Sequence, residues 1–183
     1  MTKKYKAALL GYYGFENLGD ELLLCSSLKI LEESGIEREK IIVLSNNPEQ
    51  TKKNFGIAAI NRWKIREAAK TFSNCENLYL GGGGLFQDST SIKSCVWYWG
   101  IMRLANFLGV KIYALGQSIG PLNSRIAKFL TGNALRLCKK IHVRDKNSFE
   151  LAKNFGCENT ILGSDLVLNL KPERMPSTGK KFS

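Results

Sequence analysis

The chain has 183 residues, enough to bury one hydrophobic core and too few for two complete doubly wound domains. Hydrophobic residues make up 44% and charged residues 23%, as in ordinary soluble globular domains. No apolar run approaches the roughly 20 residues of a membrane-spanning helix, and the N-terminus does not resemble a cleaved signal. We therefore expect a cytoplasmic protein.

Charge and cysteine content narrow the possible partners. The 27 Lys and Arg residues against 16 Asp and Glu give a net charge of +11, which attracts phosphorylated metabolites, nucleic acid or acidic membrane surfaces. The basic residues are scattered and do not alternate with aromatics as in an RNA-binding sheet, so we expect no nucleic-acid binding. The five cysteines are widely spaced and never form a C-x-x-C pair, so we expect reduced thiols and no metal site.

Short apolar runs alternate with helix-length segments along the chain. The runs predict strands at 5–11, 40–45, 77–83, 111–117, 140–145 and 159–164, and the intervening segments predict helices at 19–34, 62–73, 91–108, 123–138 and 146–155. This alternation indicates an α/β fold with a doubly wound, mostly parallel, Rossmann-like sheet over residues 1–170. Residues 171–183 contain two of the four prolines and predict a linker towards an absent C-terminal domain.

The stretch GYYGFENLGDELLL, residues 11–24, lies between the first strand and the first helix. Its glycines, Gly14 among them, permit close approaches that side chains would block, and the helix N-terminus directs N–H groups at the turn, where an anion could bind. Tyr13 could stack on or enclose a ligand, and Asn17 and Asp20 could hydrogen-bond hydroxyl groups. Alternatively, the two acidic residues of this stretch only cap the helix.

A second candidate segment, GGGGLFQDSTS at residues 81–91, follows the third predicted strand. Consecutive glycines cost conformational entropy, so Gly83 and Gly84 favour a backbone that lies against a ligand or another backbone. Gln87 and Asp88 then offer polar groups at the entrance to the next helix. The serines of this segment could equally be N-caps.

Two further segments follow later strands. GQSIGP, residues 116–121, presents Gln117 and Ser118 in a rigid turn, but no nucleophile motif surrounds the serine. In HVRDKNS, Arg144 lies near a strand end, where its guanidinium could hold a carboxylate or phosphate with two parallel hydrogen bonds. His142, the single histidine, could be a structural or a catalytic residue.

The ordered set GYYGFENLGDE, GGGGLFQD, GQSIGP, RDKNS and GSDLVL resembles the polysaccharide pyruvyl transferase family, most closely its bacterial cell-wall type. The resemblance runs from about Lys6 to Leu168. It implies the N-terminal half of a GT-B-like enzyme with two Rossmann-like domains facing a cleft. Members transfer the enolpyruvyl group of phosphoenolpyruvate to two hydroxyls of a sugar, forming a pyruvate ketal and free phosphate without a separate cofactor.

For this chain, the resemblance implies that Arg144 holds the anionic donor and that Asp20 contacts or deprotonates an acceptor hydroxyl. Tyr13 and Asn17 would orient the sugar. The general acid would lie on the second domain, so we expect the chain alone to be inactive. The acceptor could be a lipid-linked glycan, and the net charge of +11 is compatible with peripheral contact at the inner membrane face.

Two alternatives stay open at this point. The chain could be the acceptor domain of a GT-B glycosyltransferase, which would share the architecture and a glycine-rich first loop. It could also be a non-catalytic carbohydrate- or anion-binding module. Release of phosphate from phosphoenolpyruvate, release of nucleotide from a sugar nucleotide, and binding without turnover distinguish the three.

Overall fold

Strands and helices alternate along the chain in the computed structural model, which describes residues 3–89 and 91–169. The strands are β1 (Tyr5–Leu10), β2 (Ile41–Ser45), β3 (Ala58–Asn61), β4 (Cys75–Leu80), β5 (Gly83–Phe86), β6 (Lys111–Ile119), β7 (Cys138–Val143) and β8 (Thr160–Leu162). The helices are α1 (Leu18–Glu33), α2 (Pro48–Phe55), α3 (Ile65–Ser73), α4 (Lys93–Phe107), α5 (Arg125–Leu135) and α6 (Lys146–Asn154), with 3₁₀ helices at Arg38–Lys40 and Leu166–Asn169. The predicted linker lies outside the described residues.

The described strands form one parallel sheet in the order β3-β2-β1-β4-β6-β7-β8, and β5 also pairs with β6. Residues 7–10 of β1 are all buried, as expected for a strand covered on both faces. Ala7 and Leu9 pack in a cluster with α1 and α2, whereas Ala8 and Leu10 pack in a larger cluster with α3 to α6. The predicted doubly wound parallel sheet is confirmed.

The direction of winding reverses between β1 and β4. From β1 the chain proceeds to β2 and β3, and from β4 it proceeds in the other direction to β6, β7 and β8. The two strands pair directly, Leu10 with Leu80 at their carboxyl ends. Loops that leave neighbouring strands in opposite directions open a crevice, and open α/β sheets bind ligands there. Residues 11–17 and 81–84 therefore flank a crevice between β1 and β4, called the switch crevice below.

Three described elements were not predicted: α2, β3 and β5. Helix α2 has eight mostly polar residues and buries only Thr51 and Phe55, so its apolar pattern is too short to detect. Strand β3 is a four-residue edge strand. Strand β5 begins with Gly83 and Gly84, which have low strand propensity, and it exists because it pairs with β6.

No helix among residues 3–89 and 91–169 is long and apolar enough to cross a membrane. The five cysteines are free thiols, and all but Cys25 are buried.

Candidate functional site

Helix α1 begins at the switch crevice, and its own side chains shape the turn before it. Asn17 is the N-cap, and its Oδ1 accepts the N–H of Gly19 at 3.0 Å. Glu21 Oε1 accepts the N–H of Gly14 at 2.9 Å. Glu21 thus fixes the turn. Asn17 keeps an exposed side chain at the rim.

Asp20, unlike Glu21, is not held in place by a hydrogen bond from any described residue, so it is the carboxylate of this turn that can exchange a proton with a ligand. No hydrogen bond or ion pair joins its carboxylate to another residue in the described part of the chain. A Cβ placed on Gly83 would lie 3.7 Å from Asp20 Oδ1, so the carboxylate faces β5 across the switch crevice. Burial raises the pKa of the Asp20 carboxyl, and the neighbouring Glu21 carboxylate raises it further. A higher pKa makes this carboxylate a better proton acceptor than an exposed aspartate.

Tyr13 lies in the core and not on the ligand side of the turn. Its ring is 0% exposed and packs with α1, β1 and β2, and burial raises the pKa of its hydroxyl. A Cβ on Gly11 would lie 2.7 Å from the Tyr13 ring carbon Cε2, and one on Gly81 would overlap the Tyr13 hydroxyl. The prediction that Tyr13 orients a sugar does not fit this position, because no face of the ring reaches solvent.

The glycine-rich segment is packed against side chains of the protein itself. A Cβ on Gly82 would lie 2.7 Å from Leu23 Cδ2, and one on Gly116 would lie 2.6 Å from Leu166 Cγ. Leu166 follows β8, so the chain crosses back over the carboxyl edge of the sheet towards α1. Gly84 and Gln87 are exposed beyond this cover and remain available to a ligand.

Gly14 and Gln117, both predicted to contact substrate, have structural roles. Gly14 has φ +77° and lies so close to the end of β2 that a Cβ would lie 2.6 Å from the Asn47 nitrogen. Gln117 is 0% exposed, and its amide donates to the Gly81 carbonyl. The prediction that the Gln117 side chain contacts a ligand is wrong for this structure, because the side chain is fully buried and its Nε2 joins β6 to the glycine-rich segment, while its Oε1 has no partner among the described residues.

Asp88 and Ser118 are engaged in loop contacts near the rim. The two Asp88 oxygens accept the N–H groups of Asn123 and Ser124, each at 2.7 Å, and these bonds lower the pKa of the carboxyl. The Ser118 hydroxyl donates to Asp145 Oδ2 at 3.1 Å, where Asp145 is also the N-cap of α6. Asp88 fixes the start of α5, and Ser118 joins β6 to α6.

Arg144 forms an ion pair at the carboxyl edge of the sheet. Its guanidinium NH1 pairs with Asp165 Oδ2 at 2.5 Å, and both side chains are about one-third exposed, 33% and 32%. The Arg144 backbone N–H donates to the Gln117 carbonyl at 3.1 Å, and Gln117 pairs in register with Gly83. Arg144 therefore stands on the same rim as the glycine-rich segment, with a carboxylate beside it.

His142 has a structural environment. Its Nδ1 accepts the N–H of Gly116 at 2.9 Å, and burial lowers the pKa of the ring. A Cβ on Gly163 would lie 2.7 Å from the ring carbon Cδ2, so the ring is enclosed on that side. Of the two interpretations left open, the structure favours the structural one.

Arg62 is a site residue that the sequence analysis missed. It is 2% exposed at the end of β3, and it donates to the Gly11 carbonyl at 2.6 Å and to the Tyr98 hydroxyl at 3.2 Å. Its guanidinium lies 4.1 Å from the Trp97 ring centroid and 5.4 Å from that of Phe15. No described carboxylate lies within ion-pair distance of Arg62, and its Nε–H has no partner among the described residues. The apolar run IAAIN precedes Arg62 just as the apolar run IHV precedes Arg144. The same reasoning about an arginine at a strand end could therefore have identified Arg62 from the sequence.

Aromatic rings cover Arg62 from outside. Tyr12 and Phe15 stack with ring centroids 4.0 Å apart, and Trp63 donates its indole N–H to Asn46 Oδ1 at 2.8 Å. Tyr12 is 45% and Trp63 52% exposed. An aromatic surface of this kind suits the apolar faces of a sugar ring.

A groove of about 550 Å³ lies further along the rim, lined by residues that include Ser118, Pro121, Asp145, Asn147 and Glu150. Its two carboxylates disfavour an anionic ligand. Within the described residues, no cluster of three or more His, Cys, Asp and Glu side chains could hold a metal ion.

Replacing Gly81 by alanine should lower the free energy of unfolding by about 1–3 kcal/mol, because the new methyl group would overlap the Tyr13 hydroxyl. The matched control is Gly100→Ala on α4. No atom lies within 4 Å of a Cβ there, and alanine is favoured over glycine in a helix by up to about 1 kcal/mol. Urea unfolding measures both variants. Equal losses would contradict the packing of Tyr13 against Gly81.

Asp20 and Asp88 should show opposite pH dependence of stability. The folded-state pKa of Asp20 is raised, so its ionisation destabilises the fold as pH rises through that pKa, and Asp20→Asn should be more stable than wild type near neutral pH. The pKa of Asp88 is lowered, so Asp88→Asn should lose stability near neutral pH. Both differences should shrink in acid, where the carboxyls are protonated in both states. Thermal unfolding across pH checks this, and differences of the same sign would refute it.

Comparison with known proteins identifies the family of the chain. A family model described as polysaccharide pyruvyl transferase matches residues 17–181, from the N-cap of α1 through the glycine-rich segment and Arg144. No curated protein matches the chain significantly. The family resemblance noted from the ordered motifs is confirmed. The chain belongs to the polysaccharide pyruvyl transferase family.

Proposed function

We propose that the chain contributes the N-terminal half of a pyruvyl transferase of the bacterial cell-wall type. The donor is phosphoenolpyruvate, and the acceptor is a sugar of a cell-surface polysaccharide. Family membership supports transferase chemistry. The observation that carries the proposal is the unpaired Asp20 carboxylate, with a raised pKa, facing Gly83 in the switch crevice.

The reaction joins two hydroxyl oxygens of the sugar to carbon 2 of the donor. The bond from that carbon to the phosphate oxygen breaks, and the methylene carbon takes up a proton to become a methyl group. One hydroxyl proton balances this uptake and the other leaves with phosphate. The product is a pyruvate ketal, and no electrons are transferred, so the donor supplies the reacting group without a redox cofactor.

Asp20 accepts the proton of an acceptor hydroxyl. The sugar lies at the opening turn, with Asn17 at the rim and the rings of Tyr12 and Trp63 beside it. The two carboxylates of this turn, Asp20 and Glu21, disfavour an anion there, so the turn suits the neutral acceptor. This replaces the sequence-based expectation of an anion at the first helix N-terminus.

The anionic donor lies along the glycine-rich segment towards Arg144. The guanidinium there carries five N–H donors, and Asp165 engages it through NH1. A donor carboxylate or phosphate shares the guanidinium with Asp165 or displaces it. Exposed Gly84 and Gln87 lie on the path between the two ends of the site.

The general acid and further basic groups belong to a second, GT-B-like domain that faces the crevice, and the chain is inactive without it. The enzyme works in the cytoplasm at the inner membrane face. Its acceptor is a lipid-linked glycan.

The test measures phosphate release from phosphoenolpyruvate by the chain together with its second domain, over a panel of saccharides with neighbouring hydroxyl pairs. Asp20→Asn should lower kcat by about 10²- to 10⁴-fold with little change in the KM for phosphoenolpyruvate. Arg144→Ala should instead raise that KM, and Arg144→Lys should restore part of the affinity because it keeps the charge without the fork of donors.

Glu49→Gln, an exposed carboxylate on α2, is the matched control and should leave both constants unchanged. Wild-type turnover in Asp20→Asn would eliminate the proposed base. Release of nucleotide from a sugar nucleotide, with none of phosphate, would identify a glycosyltransferase. Saccharide binding without either release would identify a binding module.

A further inference from the structure

The middle of the chain contains no acidic residue. Between Asp88 and Asp145 there are nine Lys and Arg residues and no Asp or Glu. This stretch includes α4 and α5, which lie side by side, and the Trp99 indole N–H of α4 donates to Asn133 Oδ1 of α5 at 2.9 Å. The two helices therefore present one surface on which every formal charge is positive.

The outer side of these helices is also apolar. Val96 is 46%, Ile126 62% and Phe129 65% exposed. At a rise of about 1.5 Å per residue, Val96 lies about 4.5 Å and Phe129 about 6 Å from the Trp99–Asn133 contact, both towards the helix N-termini. The apolar side chains are therefore level with one another across the two helices. Together they form the α4–α5 patch: Val96, Ile126 and Phe129, flanked by Lys93, Arg125 and Lys128.

One acidic residue lies near the patch and offsets part of its charge. Asp88, which precedes the stretch, accepts two backbone N–H groups at the start of α5 and attracts Lys128 electrostatically, but the three cations of the patch outnumber it. The basic side chains at the patch form no ion pair with any described residue; Lys93, Arg125 and Lys128 are all exposed. A protein surface of apolar side chains flanked by exposed cations is complementary to a partner that has a nonpolar interior and an anionic surface.

We propose that the α4–α5 patch docks the protein on an anionic lipid bilayer. Phe129, Ile126 and Val96 enter the boundary between headgroups and acyl chains, and the flanking Lys and Arg side chains contact lipid phosphates. Both helices begin at the carboxyl edge of the sheet, so docking here brings the rim of the switch crevice close to the membrane. The proposal depends on the charge and exposure of this surface and not on the reaction proposed above.

Vesicle co-sedimentation of the full 183-residue chain tests the proposal. Phosphatidylcholine vesicles with part of the lipid replaced by phosphatidylglycerol should bind the protein, pure phosphatidylcholine vesicles should bind it far less, and added salt should weaken binding. Arg125→Glu and Lys128→Glu should each reduce the partition coefficient at least about fivefold, since one basic side chain near the surface accounts for about that factor. Phe129→Ser should reduce it about tenfold without changing the charge.

The matched control is the double variant Lys52→Glu and Lys53→Glu on α2, which covers the opposite face of the sheet. It makes the same charge change as the double variant Arg125→Glu and Lys128→Glu on the patch, and it should bind vesicles substantially more tightly than that variant. All these side chains are exposed, so we expect the thermal unfolding temperature of each variant to equal that of the wild type. Equal unfolding temperatures would exclude misfolding as the cause of lost binding.

Four results would overturn the proposal. Equal loss in the α2 control would mean that total charge and not the patch binds lipid. An unchanged partition coefficient for Phe129→Ser would exclude insertion. A dimer in sedimentation velocity that Phe129→Ser dissociates, or RNA binding without vesicle binding, would assign the patch to another partner.

Discussion

The buried ring of Tyr13 connects the two loops on which the site depends. It occupies space that Gly11 leaves after β1 and Gly81 leaves after β4, the two strands between which the winding of the sheet reverses. A side chain at either glycine would displace the ring. This packing brings the opening turn and the glycine-rich segment together, and it places Asp20 opposite Gly83. The aromatic and glycine residues of the opening turn are therefore explained mainly by packing and only secondarily by ligand contact.

Charge divides the rim into regions. Asp20 and Glu21 make the opening turn acidic, whereas Arg144 lies beyond the glycine-rich segment, paired with Asp165. Arg62 lies beneath the aromatic side of the turn and balances its buried charge with a carbonyl, a phenol and ring faces instead of a carboxylate. The proposed acceptor, with its hydroxyl groups, and the proposed donor, with its two anionic groups, would therefore bind at different parts of one rim.

The sequence predicted the fold well because alternating apolar runs and amphipathic segments determine a doubly wound sheet almost independently of tertiary contacts. It also placed the candidate segments on one rim, since parallel strands end at the same edge. It failed where a residue's role depends on a distant partner. The sequence around Tyr13, Gln117 and Gly14 is typical of a ligand-binding loop. In the structure, however, Tyr13 packs against Gly81, Gln117 donates to the Gly81 carbonyl, and Gly14 packs against the end of β2. Arg62 was missed because the four-residue edge strand before it was not predicted, so its position at a strand end was not recognised.

Hydrogen–deuterium exchange with phosphoenolpyruvate and saccharide added tests the central claim, that ligand binds in the switch crevice. We expect slower exchange in residues 11–21 and 81–87 and at Arg144. Residues 34–40 and 108–111, at the opposite edge of the sheet, should exchange at unchanged rates. Protection at that opposite edge, or ligand binding that leaves residues 11–21 and 81–87 unprotected, would contradict it.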